Sequence, residues 1–594
     1  MDLEANLAES LEYQYAWAKF TYFSHPYSNL MKQLFVFILF CLPLALSAQL
    51  DGNSTLSYPE LIRSYEKLAK DHPEIELYEM GDSDYGLPIY LCIVNGEQDS
   101  LKTFDKARNS TTLLINNAIH PGEPDGVNAC LIWIRDWIAG GKIETPVIAI
   151  VPAYNVGGMM NRSGTSRANQ DGPEEYGFRG NAQNLDLNRD FIKMDSKNMY
   201  TFSKLFHALE PDVFVDTHVS NGADYQYTMS YIASVRERMP PSLGNLMHDE
   251  MIPSLKNTSA NAGFDLIPYV NLRDKVPERG IEVFNDLPRY AMGYASLMNA
   301  ISFTTETHML KPFPERVEST RIFLDATIHW MQDNSESIEK AREAAFEWER
   351  NLDYYRFNYE LAKDSTTIQF KGYEHTRPVS EVTGLQRLKY HRDRPFEKEV
   401  PFFNVYTPKD SIQVPDFFIF GGQCQEIIDR LMANNIQMLR LDRAIKNPSK
   451  HFKIVSYSNE KTPYEGHYLH REVRIELVAE GWEPKVNDIV IPLNQKNKRF
   501  IMSVMVPNAP DSYFAWNFLD SYVQQKEYFS PYVFEDKAKE LLANDAQLKK
   551  EFLMKKETDS TFNASSWSQL YFIYQNSPYY EPTHNVLPIS FGRR

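Results

Sequence analysis

The sequence predicts an α/β fold in which helices cover both faces of a sheet, followed by a β-rich region and a helical tail. Two observations carry this. Between residues 55 and 350, short apolar runs of strand length alternate with helix-like segments. After about residue 355 the texture changes to strand-like runs at close spacing, and from Asp511 to Asp559 it turns helical and strongly aromatic.

Taken in order, residues 58–110 open with a helix-like stretch. Glu76–Gly96 then reads as two strands joined at Asp84–Gly86. Thr111–Asn117 is a short buried strand and Asp125–Ala139 an apolar, Trp-bearing helix. Pro146–Pro152 is a second buried strand, Met194–Leu209 a helix, and Asp212–Asp216 and Ala300–Thr305 two more strands. Helical segments from about Val317 to Asn351, with the Glu and Lys pairs of a solvated surface, close the unit. Beyond it, Thr366–Tyr373, Phe402–Tyr406, Gln437–Leu441, Phe452–Ser456, Arg474–Val478, Asp488–Pro492 and Phe500–Val506 all read as strands. No repeat or low-complexity linker separates these parts, so the expected organisation is 55–350, 355–510 and 511–594, packed against one another. The aromatic residues crowded into the tail (Trp516, Phe518, Tyr522, Phe529 and Phe534 among them) are expected as core, since each buries a large apolar area.

The composition narrows the class. At 594 residues the chain is long enough for two or three domains, and 43% hydrophobic residues suffice for a large core. A net charge of -17 without a basic stripe argues against a nucleic-acid partner. From Met31 the chain reads as a signal peptide: one Lys, an apolar run from Leu34 to Leu46, then Ser47 and Ala48. Cleavage after about Ala48 implies a secreted or periplasmic protein, with residues 1–30 an upstream mis-called start. The run is too short for a stable span, and a retained anchor is the alternative. Lipid attachment at Cys41 is not expected, because no small-residue box precedes it. Cys92, Cys130 and Cys424 are too few and scattered for a disulfide framework or a thiolate metal site, so any metal must be held by His and carboxylates.

Four elements carry chemistry. His120 and Glu123, in Ala118-Ile-His-Pro-Gly-Glu123, follow a buried strand directly, where open sheets bind ligands. His218 ends the strand run beginning at Asp212 and can reach the same crevice. Two His and one Glu with an open fourth position form the ligand set of catalytic zinc sites. The polar loop Phe178–Phe191 holds Arg179, Asp186, Asn188 and Arg189, and Arg suits bidentate carboxylate recognition. Glu306, ending another apolar strand, is a candidate general base. Its neighbour His308 shares its face by strand alternation but is not expected as a fourth ligand. His248 and His467 lack a second ligand at motif spacing and read as structural, although the turn Pro463–His467 could border the cleft.

In this order and spacing the four elements resemble the carboxypeptidase A/B-like zinc metallocarboxypeptidases, over about residues 55–345. The resemblance implies a mixed sheet covered by helices and one zinc ion on His120, Glu123 and His218. It implies that Glu306 acts as base and then acid in hydrolysis by metal-activated water, and that Arg179 polarises the scissile carbonyl. Asn188 and Arg189 would hold a peptide's free C-terminal carboxylate, and Asp186 would orient His120. The family's substrate-capping tyrosine has no sure counterpart; Tyr290 is the candidate. The chain departs from the family in reading Thr-Thr-Glu-Thr-His around Glu306, and its side-chain preference is not legible. Two rival readings are a cell-wall amidase or endopeptidase on the same site, and an inert peptide- or glycan-binding protein.

Overall fold

The computed structural model describes residues 52–140, 145–444 and 450–593. The N-terminal extension, the signal-peptide segment with Cys41 and the cleavage position lie outside the described residues. Among the described residues no helix is long and apolar enough to cross a membrane.

The strands are β1 (Ile75–Asp82), β2 (Pro88–Val94), β3 (Thr112–Asn116), β4 (Val147–Val151), β5 (Val213–Ser220), β6 (Met229–Ala233), β7 (Leu266–Pro268), β8 (Asn271–Leu272), β9 (Ile281–Glu282) and β10 (Ile301–His308). Eight of them form a mixed sheet in the order β1-β2-β4-β3-β5-β10-β6-β7. The centre of this sheet is parallel: β4 and β5 flank β3, and β10 pairs with β5. Strands β3, β4 and β5 are buried throughout, as a sheet covered on both faces requires. Phe214 on β5 and Phe303 on β10 stand one register position apart and so point to opposite faces. Phe214 meets Phe202 and Phe206 of the helix Lys197–Leu209, and Phe303 meets Phe323 of the helix Phe313–Asp333. From β3 the chain passes through the helix Asp125–Ala139 to β4 on one side, whereas β5 lies on the other. The gap beyond the carboxyl ends of β3 and β5 is therefore a topological switch point, where open sheets form binding crevices.

Ten further strands follow: β11 (Tyr354–Leu361), β12 (Thr366–Thr376), β13 (Lys389–Phe403), β14 (Tyr406–Gln413), β15 (Phe417–Phe420), β16 (Leu439–Arg440), β17 (Lys450–Asn459), β18 (His470–Val478), β19 (Ile489–Pro492) and β20 (Val586–Gly592). They build a two-stranded sheet, β11-β14, a four-stranded one, β12-β13-β9-β8, and a six-stranded one, β16-β19-β15-β20-β17-β18. The four-stranded sheet borrows β8 and β9 from the first half of the chain. β20, from the end of the tail, lies between β15 and β17.

Three expectations are corrected. Phe500–Val506 is not a strand; Lys498–Met505 is a helix with all of its residues buried. A short apolar run buried on every side carries no period that could separate the two. Asp511–Ser530 winds through turns and a short 3-10 segment, and the helices begin at Pro531. Here the buried Asp511 and Ser512 bond the local backbone and side chains instead of continuing a helix. The tail also ends in β20 and is not helical throughout. Of its aromatic residues, Trp516 is fully buried and Phe534 and Tyr574 join a helical core with Phe552 and Phe562, but Tyr528, Tyr532 and Tyr579 are exposed.

The second half is tied to the first by buried polar contacts. Arg289, beside the sheet, pairs with Asp511 (Nε–Oδ1 2.8 Å), whose other oxygen accepts from the Arg289 backbone N–H at 3.0 Å. Asp195 accepts from Lys193 at 2.8 Å, from His467 at 2.8 Å and from Arg430 at 3.1 Å. Burial alone would raise the Asp195 pKa, but the bond from His467 and the Lys193 ammonium outweigh it and hold the carboxyl down at about 2.

Two outcomes follow from these contacts. Asp511→Ala strands the Arg289 guanidinium and should cost about 3–5 kcal/mol in chemical denaturation; a loss under 1 kcal/mol would show that the pair does not anchor the tail. Because the folded pKa of Asp195 lies below its unfolded value, its contribution is present above about pH 4 and lost as pH falls towards 2. Asp195→Asn should therefore be less stable than the wild type by about 2 kcal/mol at neutral pH, and equally stable near pH 2.

Candidate metal centre

His120 and Glu123 lie in the loop that leaves β3, directly before the helix Asp125–Ala139. Ala118 takes a positive φ of 56° to turn the chain out of the strand, and Asn155 donates to the Ile119 carbonyl at 3.2 Å to hold that turn. His218 stands near the carboxyl end of β5 and is paired in register with Glu306 on β10. Three elements of the switch point therefore deliver side chains to one place.

There the His120 and His218 Nδ1 atoms are 3.2 Å apart. A Glu123 oxygen lies 2.9 Å from the His218 Nδ1, and its second oxygen is 3.4 Å from the His120 Nδ1. All three residues are buried, and their ligand atoms lie within 4.8 Å of one another. Each imidazole is held from behind by a carboxylate: His120 Nε2 by Asp186 at 2.9 Å and His218 Nε2 by Asp216 at 2.7 Å. With Nε2 of each ring turned to its carboxylate, both Nδ1 atoms face the same point, where a neutral ring presents a lone pair. Facing lone pairs with a carboxylate between them repel unless a cation lies among them, so the donor set fits a divalent metal with an open position.

The local charges agree. Burial works against ionisation of Glu123, yet the Arg167 guanidinium at 2.8 Å and His120 hold its carboxyl well below the usual range. Burial likewise opposes charge on His218, but Asp216 and Glu123 push its pKa well up. At Glu306 burial dominates: together with the Glu123 charge, and against the pull of His218, it lifts the carboxyl up to about 8. A cation at the histidines would draw Glu306 back towards its charged form.

On the Asp186 side, Arg179 donates from Nε to Asp186 at 3.0 Å and has a second nitrogen 3.6 Å from Glu123. Asp186 caps the short 3-10 turn Leu187–Arg189, accepting from the Asn188 N–H at 2.9 Å. The Asn188 side chain accepts from the Ala291 N–H at 2.9 Å, and the Arg189 guanidinium lies 4.7 Å from the centre of the Tyr290 ring. The residues given site roles from the sequence, His120, Glu123, His218, Arg179, Asp186, Asn188, Arg189, Tyr290 and Glu306, thus lie in one neighbourhood. His308 lies outside it, stacked on Tyr225 at 4.1 Å with Nε2 3.4 Å from Asp224, and His248 bonds the Ser234 carbonyl.

Sequence reasoning missed Asp216, Arg167 and Asn155, and reached Glu465 only as part of the turn Pro463–His467 that could border the cleft. Asp216 had a signal, because it sits two residues before His218 on a strand and so shares its face. Arg167 and Asn155 sit in loops with no periodic pattern. Glu465 comes from the accessory region: its carboxylate accepts from the Asp186 backbone N–H at 2.7 Å, across 279 residues of sequence.

If the two aspartates orient the imidazoles, Asp186→Ala and Asp216→Ala should each weaken binding of a divalent metal about 10- to 100-fold. Competition with a chromogenic chelator measures this; unchanged affinity in both variants would remove them from the metal's surroundings.

No protein-family model matches the chain. Among characterised proteins it is similar to "Carboxypeptidase 2" of Trichophyton rubrum, 21% identical over 78% of this chain and 84% of that protein. It is likewise similar to "Carboxypeptidase 2" of Trichophyton tonsurans, 22% identical over 67% of this chain and 72% of that protein. A metallo-carboxypeptidase from Burkholderia cenocepacia aligns in structure at 17% identity and a TM-score of 0.35, over 46% of this chain and 68% of that one. Carboxypeptidase A from Helicoverpa armigera aligns at 15% identity and a TM-score of 0.35, over 54% and 82%. By its motifs and by its sequence similarity to these fungal proteins, the chain is carboxypeptidase-like and resembles the zinc metallocarboxypeptidases of the A/B type.

Proposed function

We propose that the chain is a zinc-dependent carboxypeptidase that hydrolyses the last peptide bond of a substrate with a free carboxyl terminus. One observation carries the reading: the imidazoles of His120 and His218 and the carboxylate of Glu123 converge at a switch point, with Glu306 in register on the adjoining strand.

In this reading His120, Glu123 and His218 hold one zinc ion. When bound, the ion supplies a Lewis acid that polarises the scissile carbonyl and makes water acidic enough to attack near neutral pH. Glu306 accepts a proton from the attacking water. The water oxygen bonds to the carbonyl carbon, the carbon–nitrogen bond breaks, and Glu306 returns its proton to the departing amine. Arg179 donates to the carbonyl oxygen as negative charge gathers there. Asn188 and Arg189 bind the terminal carboxylate, with the Tyr290 ring against the Arg189 guanidinium closing that end of the site. Asp186 and Asp216 keep the imidazoles in the ligating tautomer. Residues 55–350 form the peptidase unit, and the apolar Leu34–Leu46 segment directs it out of the cytoplasm.

Glu306→Gln should retain zinc and lose about 100- to 10,000-fold in turnover on a peptide panel, since an amide cannot take the proton. Near wild-type hydrolysis by this variant would disqualify Glu306 as the base. Substrates with an amidated end should lose about 2–5 kcal/mol in kcat/KM, because Arg189 is left without its partner. Equal cleavage of acid and amide forms would instead indicate an endopeptidase, such as one acting on cell-wall stem peptides.

A further inference from the structure

We infer that Glu465, supplied by the accessory region, is a positioning residue for the metal centre, acting through Asp186 on His120 and Arg179; this rests on the zinc reading above. Asp186 is the hinge of that arrangement. One of its side-chain oxygens holds His120 Nε2 at 2.9 Å, and the other accepts from Arg179 at 3.0 Å. Its backbone N–H stands at the cap of the turn Leu187–Arg189, where no helical carbonyl is available to accept it. The Glu465 carboxylate takes that N–H at 2.7 Å. An N–H to carboxylate bond is charge-assisted and stronger than a neutral one. It therefore fixes the peptide from which the Asp186 side chain projects.

The way Glu465 is mounted points the same way. Tyr464 and His467 exchange both backbone hydrogen bonds, at 2.7 and 3.1 Å, across the two residues Glu465 and Gly466. Glu465 has φ +50° and Gly466 φ +85°, the left-handed pair of a type I′ hairpin turn. Asn or Gly occupies the first of these seats at lower conformational cost than Glu. Nothing in the turn itself calls for a long acidic side chain there; the N–H of Asp186 does. The base of the turn is anchored on both sides. His467 bonds Asp195 at 2.8 Å, and Tyr464 stacks on the fully buried Trp516 with ring centres 6.0 Å apart. The Arg289 guanidinium lies 5.1 Å from the Trp516 ring. Leu185, the residue before Asp186, packs under Gly466. A carboxylate carried on such a mount has little freedom except along the line of its bond.

The test uses the full-length protein with two substitutions, Glu465→Gly and Glu465→Gln. Glycine keeps the left-handed turn and removes the acceptor; glutamine keeps an acceptor oxygen and removes the charge. Zinc affinity is read by chelator competition, kcat and KM on a peptide, and melting of the metal-free form. The glycine variant is expected to bind zinc about 10-fold more weakly, at the low end for groups that orient a ligand. Its kcat should fall in step while KM changes little, and its metal-free melting should match the wild type. The glutamine variant should recover most of the affinity. Wild-type affinity and kcat in the glycine variant would overturn the inference, as would an equal loss in both variants. If the glycine variant melts early, the glutamine variant alone decides, and a 10-fold loss in it counts against the inference. A wild-type protein that takes up no zinc would fail the proposed function itself, which separates the two failures.

Discussion

Two imidazole nitrogens held 3.2 Å apart form an arrangement that a folded protein must force. The force comes from behind. Asp186 and Asp216 fix the rings by their far nitrogens, and each aspartate is itself fixed: Asp216 accepts from Asn116 on β3 at 2.9 Å, and Asp186 is held through its own N–H. Much of the surrounding structure serves this constraint. The parallel pairing of β3, β5 and β10 brings three chain segments to one edge, and the fully buried strands leave them no latitude. The loop from Phe178 to Phe191 is pinned by Asp84, which accepts from Asn181 and Gln183, and by Asp190, which gathers Lys193 and Ser196. The result is a concentration of negative charge that is stable only around positive charge, be it Arg167, Arg179 or a metal ion.

The part of this arrangement that was legible in the sequence is the part written locally. Buried parallel strands announce themselves as continuous apolar runs, so β3, β4, β5 and β10 were visible, and with them the loops and strand ends carrying His120, Glu123, His218 and Glu306. The loop with Arg179, Asp186, Asn188 and Arg189 was visible because its polar residues crowd between apolar flanks. What escaped was written at a distance or without period. Most of β13 is exposed and rich in charge, so it shows little of the hydrophobic alternation that marks a strand; β11 does alternate Tyr355, Phe357, Tyr359 and Leu361 with Arg356, Asn358 and Glu360, but over a single short run. The helix Lys498–Met505 is buried on all sides, and the same lack of contrast made it look extended. Glu465 was legible only as the acid of a turn, Pro463–His467, that could border the cleft; its bond to Asp186 was not. That bond arises only from the docking of two regions.

That docking sets the character of the molecule. Arg289 reaches Asp511, Arg430 reaches the Lys193 carbonyl, and Arg499 reaches Ser296 and Asn299, each a buried cation held across the boundary. Such contacts are poor adhesives when solvated and costly to break when buried. They favour one relative placement of the two regions over sliding between several. The accessory region is thereby a wall of the site and not a tethered appendage, and the crevice has one shape.

The six-stranded sheet adds a constraint in time. β20 pairs on one edge with β15, so that Ile419 and Ser590 are partners, and on the other with β17. A sheet whose inner strand follows its neighbours only after several helices cannot close until that strand is made, and pairings so remote in sequence form slowly. Until residue 592 has emerged, β15 and β17 present unpaired edges, and the turn that carries Glu465 has no finished sheet behind it. The eight-stranded sheet has its own parallel core, but the wall that Glu465 supplies to its crevice is completed only once β20 has joined. Before β20 is in place His120, Glu123 and His218 would therefore be held less firmly, so that the order of assembly makes the centre of the first sheet wait on a strand from the far end of the second half.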